Sequence, residues 1–236
     1  MEQHDRKALE HLVSSQVGKW QLAAKTAKET GKPDFRPVIA ISRLPGCGTP
    51  EIARAVAGRL GFDIFNGSLV DMVAEDAHLS KSVAQTLDEK AMSDLEEWVK
   101  SLIEDKYFSS DNFFFRLSRL VSTIGAHGGA VIIGRGAAFM LPEADCLRVQ
   151  LTAPLEARIS NVTRKYGVRQ EDARRSIINR ESDRKAYVRR YFNADMCDPL
   201  HYDVVLNTAL FSTEQSADII VAAWRAKLAW RSQNVK

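Results

Sequence analysis

The sequence predicts an α/β fold in which a parallel sheet is flanked by helices, and three observations carry that prediction. Short apolar runs at Val38–Ile41, Ala130–Ile133 and Leu147–Leu151 are separated by longer stretches with apolar residues at helical spacing, and strands alternating with helices form parallel sheets covered on both faces. The first of these runs passes directly into a glycine turn and then a helix. The chain has 236 residues and is 45% hydrophobic, enough to build a sizeable buried core.

Taken in order, residues 4–29 read as an amphipathic helix with Leu9, Leu12, Val13, Val17, Trp20 and Leu22 as its apolar positions, broken by Gly31-Lys32-Pro33-Asp34. Glu2, Asp5 and Glu10 set this preface apart from a targeting peptide, and it suits a cap or a homodimer contact. The apolar run that begins at Val38 enters the turn, and the helix Glu51–Leu60 leaves it, with Gly61 where a helix stops. Phe62–Phe65 is a short second strand, and Ser68 opens a long amphipathic helical region reaching about residue 126. Within it, Phe113-Phe114-Phe115 beside Leu117 and Leu120 read as core rather than as a base-stacking platform. Strands at Ala130–Ile133, Leu147–Leu151 and Tyr202–Asn207, with helices between them and a last helix over Thr213–Trp230, complete the series. There is no internal repeat.

The turn itself, Arg43-Leu44-Pro45-Gly46-Cys47-Gly48-Thr49-Pro50, has the layout of a phosphate cradle. Backbone N–H groups of such a turn converge on an anion, and the dipole of the following helix favours its charge. This is P-loop geometry, yet the usual G-x-x-x-x-G-K-[ST] pattern fails where Arg43 stands for the first glycine and Thr49 for the lysine. The lysine normally reaches the β and γ phosphates, so another cation has to serve or transfer is weak. The residues of the turn alone leave open a plain tight turn with glycines needed only for backbone geometry.

The net charge of +3 conceals an asymmetry. From Arg158 to Arg190 there are eleven Lys/Arg, nine of them arginine, against four acids, so this segment carries +7 and the remainder −4. Guanidinium forks bind phosphate oxygens in pairs, which favours phosphate recognition over a merely solvated helical face. Arg180, Arg184 and the Arg189-Arg190 pair recur at helical spacing, while Gly134-Arg135-Gly136 puts Arg135 at the carboxyl end of a strand, where open α/β sheets bind ligands. Arg158 follows the next strand at the same edge.

Other chemistries are excluded. No apolar run approaches the roughly 20 residues that span a bilayer, and the amino terminus lacks a secretory signal, so a cytoplasmic protein is expected. Cys47, Cys146 and Cys197 are widely spaced and read as free thiols. Cys47 is either a small filler or a thiol activated by the converging N–H groups. The histidines have no metal-ligand spacing, so no metal site is expected, and no G-x-S-x-G elbow is present.

An ordered set of motifs then resembles the cytidylate kinase-like family, lysine-less relatives of the P-loop nucleoside monophosphate kinases. It comprises Ile41-Ser-Arg-Leu-Pro-Gly-Cys-Gly48 with Glu51-Ile-Ala53, Leu87-Asp-Glu-Lys90, Val131-Ile-Ile-Gly-Arg-Gly-Ala137, Asp183-Arg184 with Tyr187 and Tyr191-Phe192, and Tyr202-Asp-Val-Val-Leu-Asn-Thr208. The resemblance covers about residues 37–230. It implies a P-loop nucleoside monophosphate kinase-like domain over 35–236, with a helical acceptor-binding insertion at 66–126 and an arginine-rich lid at 167–192; the helical extension at 1–34 lies outside the resemblance. It further implies Gly46, Cys47, Gly48, Thr49 and Arg158 on the nucleotide, Arg135 and Arg116 (or Arg119) on the acceptor phosphate, and Arg180 and Arg184 in the lid. Gly136 stands where the family's GRD triplet has aspartate, and Asn66 where relatives often have aspartate.

On this basis the expected activity is transfer of the ATP γ-phosphoryl group, as the Mg2+ complex, to a pyrimidine nucleoside monophosphate, CMP or dCMP first. Arg43, Arg180 and Arg184 would supply the charge of the missing lysine. A catalytically degraded nucleotide-binding module is the second reading, supported by the same losses at Thr49 and Gly136. Nucleic-acid binding through the basic segment is the weakest, because the arginines already have a phosphate ligand in view.

Overall fold

Apolar runs without alternation belong in strands covered on both faces, and that is where they lie in the computed structural model, which describes residues 3–30, 35–104 and 112–234. In chain order the elements are α1 (Gln3–Thr30), β1 (Val38–Arg43), α2 (Thr49–Leu60), β2 (Asp63–Asn66), α3 (Gly67–Glu75), α4 (Ala77–Ala84), α5 (Glu89–Glu104), α6 (Asn112–His127), β3 (Ala130–Ile133), α7 (Ala137–Met140), β4 (Cys146–Thr152), α8 (Leu155–Tyr166), α9 (Gln170–Phe192), β5 (Val204–Asn207) and α10 (Thr213–Asn234). The chain forms two compact units, residues 37–65 with 129–236 and residues 1–36 with 66–128. The break expected at Gly31–Asp34 and residues 105–111 of the long helical stretch lie outside the described residues.

The first unit holds a five-stranded sheet in the order β2-β3-β1-β4-β5. Strand β1 pairs in parallel with β3, Ile39 opposite Val131 and Ile41 opposite Ile133, and on its other side with β4, Ile39 opposite Leu147 and Ile41 opposite Val149. Strand β4 pairs in parallel with β5. Because β1 feeds neighbours on both sides, its carboxyl end is the switch point at which a crevice opens. Helix α2 packs Ile52, Ala53, Val56 and Ala57 into the core shared with Ala217, Ile220, Val221 and Trp224 of α10. Gly61 ends α2 in the left-handed region, φ 65°, its N–H bonded to the Ala57 carbonyl. Trp224 donates its Nε1 proton to the Pro37 carbonyl at 2.6 Å and meets Phe62 edge-on. Helices α8 and α9 pack on each other through Ile159, Ala173 and Ile177.

The second unit is helical. Asn66 caps α3, its side-chain oxygen accepting from Leu69 N at 2.9 Å, and Asp76 caps α4 by accepting from His78 N and Leu79 N. The stripe on α6 buries Phe114, Leu117, Leu120, Val121 and Ile124. The aromatic run expected to be core splits: Phe114 is buried and Phe115 is exposed. On α1 the apolar face is narrower than expected, with Leu9, Val13 and Trp20 buried but Leu12 57% and Leu22 66% exposed. Trp20 stacks on His127 at 4.2 Å and 7°, and burial pushes that imidazole down to about 4. Among the described residues, no helix is long and apolar enough to cross a membrane.

Candidate active site

The carboxyl end of β1 opens into a turn whose shape depends on two left-handed glycines. At Gly46, φ 91°, a Cβ would sit 2.8 Å from the Arg158 carbonyl oxygen, so the turn rests directly on the backbone of α8. At Gly48, φ 68°, a Cβ would meet nothing within 4 Å, so here the requirement is backbone conformation and the space beside the turn is open. Thr49 begins α2 and is buried, with Pro50 behind it. Pro50 occupies the place of the hydroxyl residue in the usual loop, a departure the sequence already held. Cys47 is 2% exposed within the sheet core. Burial pushes its thiol up to about 11, against the opposing charges of Arg158 and Arg184 and the Thr208 hydrogen bond. It is a filler rather than an activated thiol.

The carbonyls of the turn are tied from α8. Arg158, 5% exposed, donates from Nη1 to the Pro45 carbonyl at 3.3 Å and from Nε to the Ala153 carbonyl at 2.9 Å. The same Nη1 pairs with Glu181 Oε2 of α9 at 2.9 Å. Asn161 donates from Nδ2 to the Gly46 carbonyl at 3.1 Å. Neither Asn161 nor Glu181 stood out in the sequence. The available signals were the i, i+3 spacing of Asn161 from Arg158 and an acid directly beside Arg180 on α9.

Next to the turn, Gly134, Arg135 and Gly136 have φ of 81°, 54° and 72°. A left-handed arginine costs about 1–2 kcal/mol, and the surroundings hold it there: Gly134 N donates to the Ile41 carbonyl at 3.0 Å and the Tyr187 hydroxyl donates to the Arg135 carbonyl at 3.4 Å. Gly134 has no room for a Cβ because the Arg43 guanidinium lies against it. Gly136 has none because the Phe192 ring does, and that ring is stacked on Phe139. The glycine at the triplet's third position is therefore a packing requirement of this chain. Gly136→Asp is expected to lose about 2–4 kcal/mol of stability from strain and overpacking, read as the shift in urea midpoint. Adding Phe192→Ala should return the steric part; a single Gly136→Asp variant as stable as the parent would show that Phe192 makes way freely.

Arg43, Arg135, Arg180 and Arg184 gather at this edge. Burial, and then the charges of Arg184 and Arg135, push the Arg43 guanidinium down to about 9. Arg184 is likewise lowered by burial and by Arg180 and Arg135, and its Nη1 donates to the Arg43 carbonyl at 2.9 Å. Among the described residues, Arg43, Arg180 and Arg184 make no ion pair with a carboxylate. Like charges in partial burial repel unless an anion joins them, so the cluster is suited to a polyanion. Arg116 belongs to the helical unit, where its Nε donates to the Ala74 carbonyl at 2.6 Å. Arg119, a turn further on α6, has a buried Nε without a hydrogen bond. Among the described residues, no group of three or more His, Cys, Asp or Glu side chains could hold a metal ion.

Fold and site together define an α/β protein with a glycine turn and an arginine cluster at the switch point of a parallel sheet. Residues 38–210 match the cytidylate kinase-like family, and the chain belongs to it. It is 29% identical over 196 residues to a protein of Methanopyrus kandleri named cytidylate kinase, covering 79% of this chain and 92% of that one. It is 30% identical over 185 residues to one of the same name from Ignicoccus hospitalis, covering 78% of this chain and 96% of that protein. A crystal structure of an uncharacterized protein from Eubacterium ventriosum superposes with TM-score 0.66 at 18% identity, covering 81% of this chain and 99% of that one, a likeness of fold.

Proposed function

We propose that the protein moves the γ-phosphoryl group of ATP to a pyrimidine nucleoside monophosphate, with CMP or dCMP as the first candidates. The observation that carries the reading is the cluster of arginines beside the glycine turn, of which Arg43, Arg180 and Arg184 make no ion pair with a carboxylate among the described residues, in a member of the cytidylate kinase-like family. Phosphoryl transfer needs alignment and charge neutralisation more than covalent participation by the protein. Backbone N–H groups of Gly46, Cys47, Gly48 and Thr49 would hold the donor phosphates. Arg43, Arg180 and Arg184 would supply the charge a lysine supplies elsewhere, and Arg135 with Arg116 would bind the acceptor phosphate. Residues 66–126 would serve as the acceptor-binding insertion and 167–192 as a lid that excludes water. Residues 1–34 would serve as a cap or homodimer contact. At the turn Pro50 stands in place of the usual hydroxyl, and among the described residues no group of three or more His, Cys, Asp or Glu side chains could hold a metal ion by itself, which suits a Mg2+ held mainly by substrate phosphates. The ion would arrive bound to the phosphates of ATP as part of the substrate.

The losses at Thr49 and Pro50 support a second reading, a nucleotide-binding module without transferase activity. Thr49→Lys separates the two. Thr49 is 5% exposed at the start of α2, so a lysine there crowds a site shaped without it. CMP- and dCMP-dependent ADP release is expected from the parent, with no gain in the folded variant. A silent parent beside an active Thr49→Lys protein would replace the kinase reading by the binding module.

A further inference from the structure

We propose that Glu181, Arg158 and Asn161 are positioning residues that preset the glycine turn, holding its carbonyls from the α8 side so that its N–H groups stay turned to the phosphates. The proposal rests on reading that turn as a phosphate cradle and reassigns Arg158 from contact with the nucleotide to support of the loop. Every polar backbone group in a buried turn needs a partner. Among the turn's carbonyls, Pro45 accepts from Arg158 and Gly46 from Asn161. The two donors are three residues apart on α8, on one face of the helix, and Gly46 has no side chain to hold it off that helix.

Arg158 reaches this position only because Glu181 neutralises it. Its guanidinium is engaged at the Ala153 carbonyl, the Pro45 carbonyl and Glu181 Oε2, with the side chain 6% exposed. A buried guanidinium that loses its carboxylate is strongly destabilised where it sits. The other oxygen of Glu181 accepts from Lys185 at 2.7 Å. Burial works to raise the Glu181 carboxyl, but the hydrogen bonds and charges of Lys185 and Arg158 outweigh it and hold the group below the usual range. Glu181 is therefore ionised at neutral pH. One turn further along α9, Arg184 donates to the Arg43 carbonyl, and Tyr187 follows on the Arg135 carbonyl. A single face of α9 thus touches the turn's support, the strand that enters it and the strained arginine beside it. That arrangement couples the position of α9 to the shape of the turn.

The sign of one substitution distinguishes positioning from plain electrostatics. Glu181→Gln removes a negative charge near an anion site, so electrostatics alone predicts tighter ATP binding. Positioning predicts weaker binding, by about 10- to 100-fold, the scale on which losing an outer supporting residue is felt at metal sites. Asn161→Leu, which changes no charge, is expected to weaken ATP in the same direction, and it carries the test should Glu181→Gln fail to fold. The measurements are ATP dissociation constants for the full chain by calorimetry, at fixed ionic strength, with the thermal midpoint of each variant beside them. A folded Glu181→Gln or Asn161→Leu protein that binds ATP as tightly as the parent, or more tightly, overturns the clamp while leaving the phosphate cradle standing. A parent that binds neither ATP nor inorganic triphosphate overturns the cradle, and the clamp with it.

Discussion

Arg184→Ala is expected to lower kcat about 10³-fold while changing ATP affinity far less, by analogy with arginines that act mainly on transition-state charge. A loss of that size corresponds to about 4 kcal/mol of transition-state stabilisation. Among the described residues the side chain makes one hydrogen bond, to the Arg43 carbonyl, and a hydrogen bond from a charged group contributes about 1.5–3 kcal/mol. Anchoring α9 therefore cannot account for the full effect. Removing Arg184 also removes a charge that presses on Arg43, which works in the opposite direction and sharpens the test. Arg184→Lys, with the charge but without the planar fork, should fall between the two. The check is initial velocity at saturating ATP and CMP, with the thermal midpoint as a control. A kcat for Arg184→Ala equal to the parent's would leave Arg184 as an anchor of α9 and nothing more.

The parts of this fold that the sequence disclosed are those in which local chemistry and tertiary role coincide. Val38–Ile41 and Ala130–Ile133 read as strands because both faces of a central strand are apolar, and the turn was legible because glycine adopts its two left-handed positions without strain. Gly61 marked the end of α2 for the same reason. The strand order β2-β3-β1-β4-β5 was not legible, since it depends on pairings between residues distant in sequence, such as Ile39 with both Val131 and Leu147. On α1, spacing alone marked Leu12 and Leu22 as apolar positions, but only the stripe of Leu9, Val13 and Trp20 is covered.

The arginines illustrate the same limit at the site. Composition marked the basic segment as suited to phosphate but could not sort its members, because an arginine in an all-cationic cluster and one buried on a carboxylate look alike in sequence. Arg158 is distinguished by partners 23 and 113 residues away, Glu181 and Pro45. Arg180 and Arg184 are distinguished by having no carboxylate partner among the described residues. Gly136 shows the reverse case: read along the chain it is an absent aspartate, and in the structure a Cβ there would run into the Phe192 ring.

Gly48→Val is expected to abolish measurable ATP binding in a protein that still folds. At φ 68° any residue with a Cβ is strained, at about 1–2 kcal/mol, but the added Cβ meets nothing within 4 Å. It stands in the open space beside the turn, where donor phosphates would have to approach the backbone N–H groups. Gly46→Val provides the contrast. There the Cβ would lie 2.8 Å from the Arg158 carbonyl oxygen and 2.9 Å from the Arg158 Cβ, so the turn must lift off α8, and stability and binding should fall together. Thermal unfolding with and without ATP reads both quantities, since a ligand bound only by the native state raises the midpoint. The expected pattern is a modestly lowered midpoint and no ATP-induced rise for Gly48→Val, against a large fall for Gly46→Val. If Gly48→Val keeps the parent's ATP-induced rise, the phosphates do not lie against this turn, and the arginine cluster would have to be read as a site for some other anion.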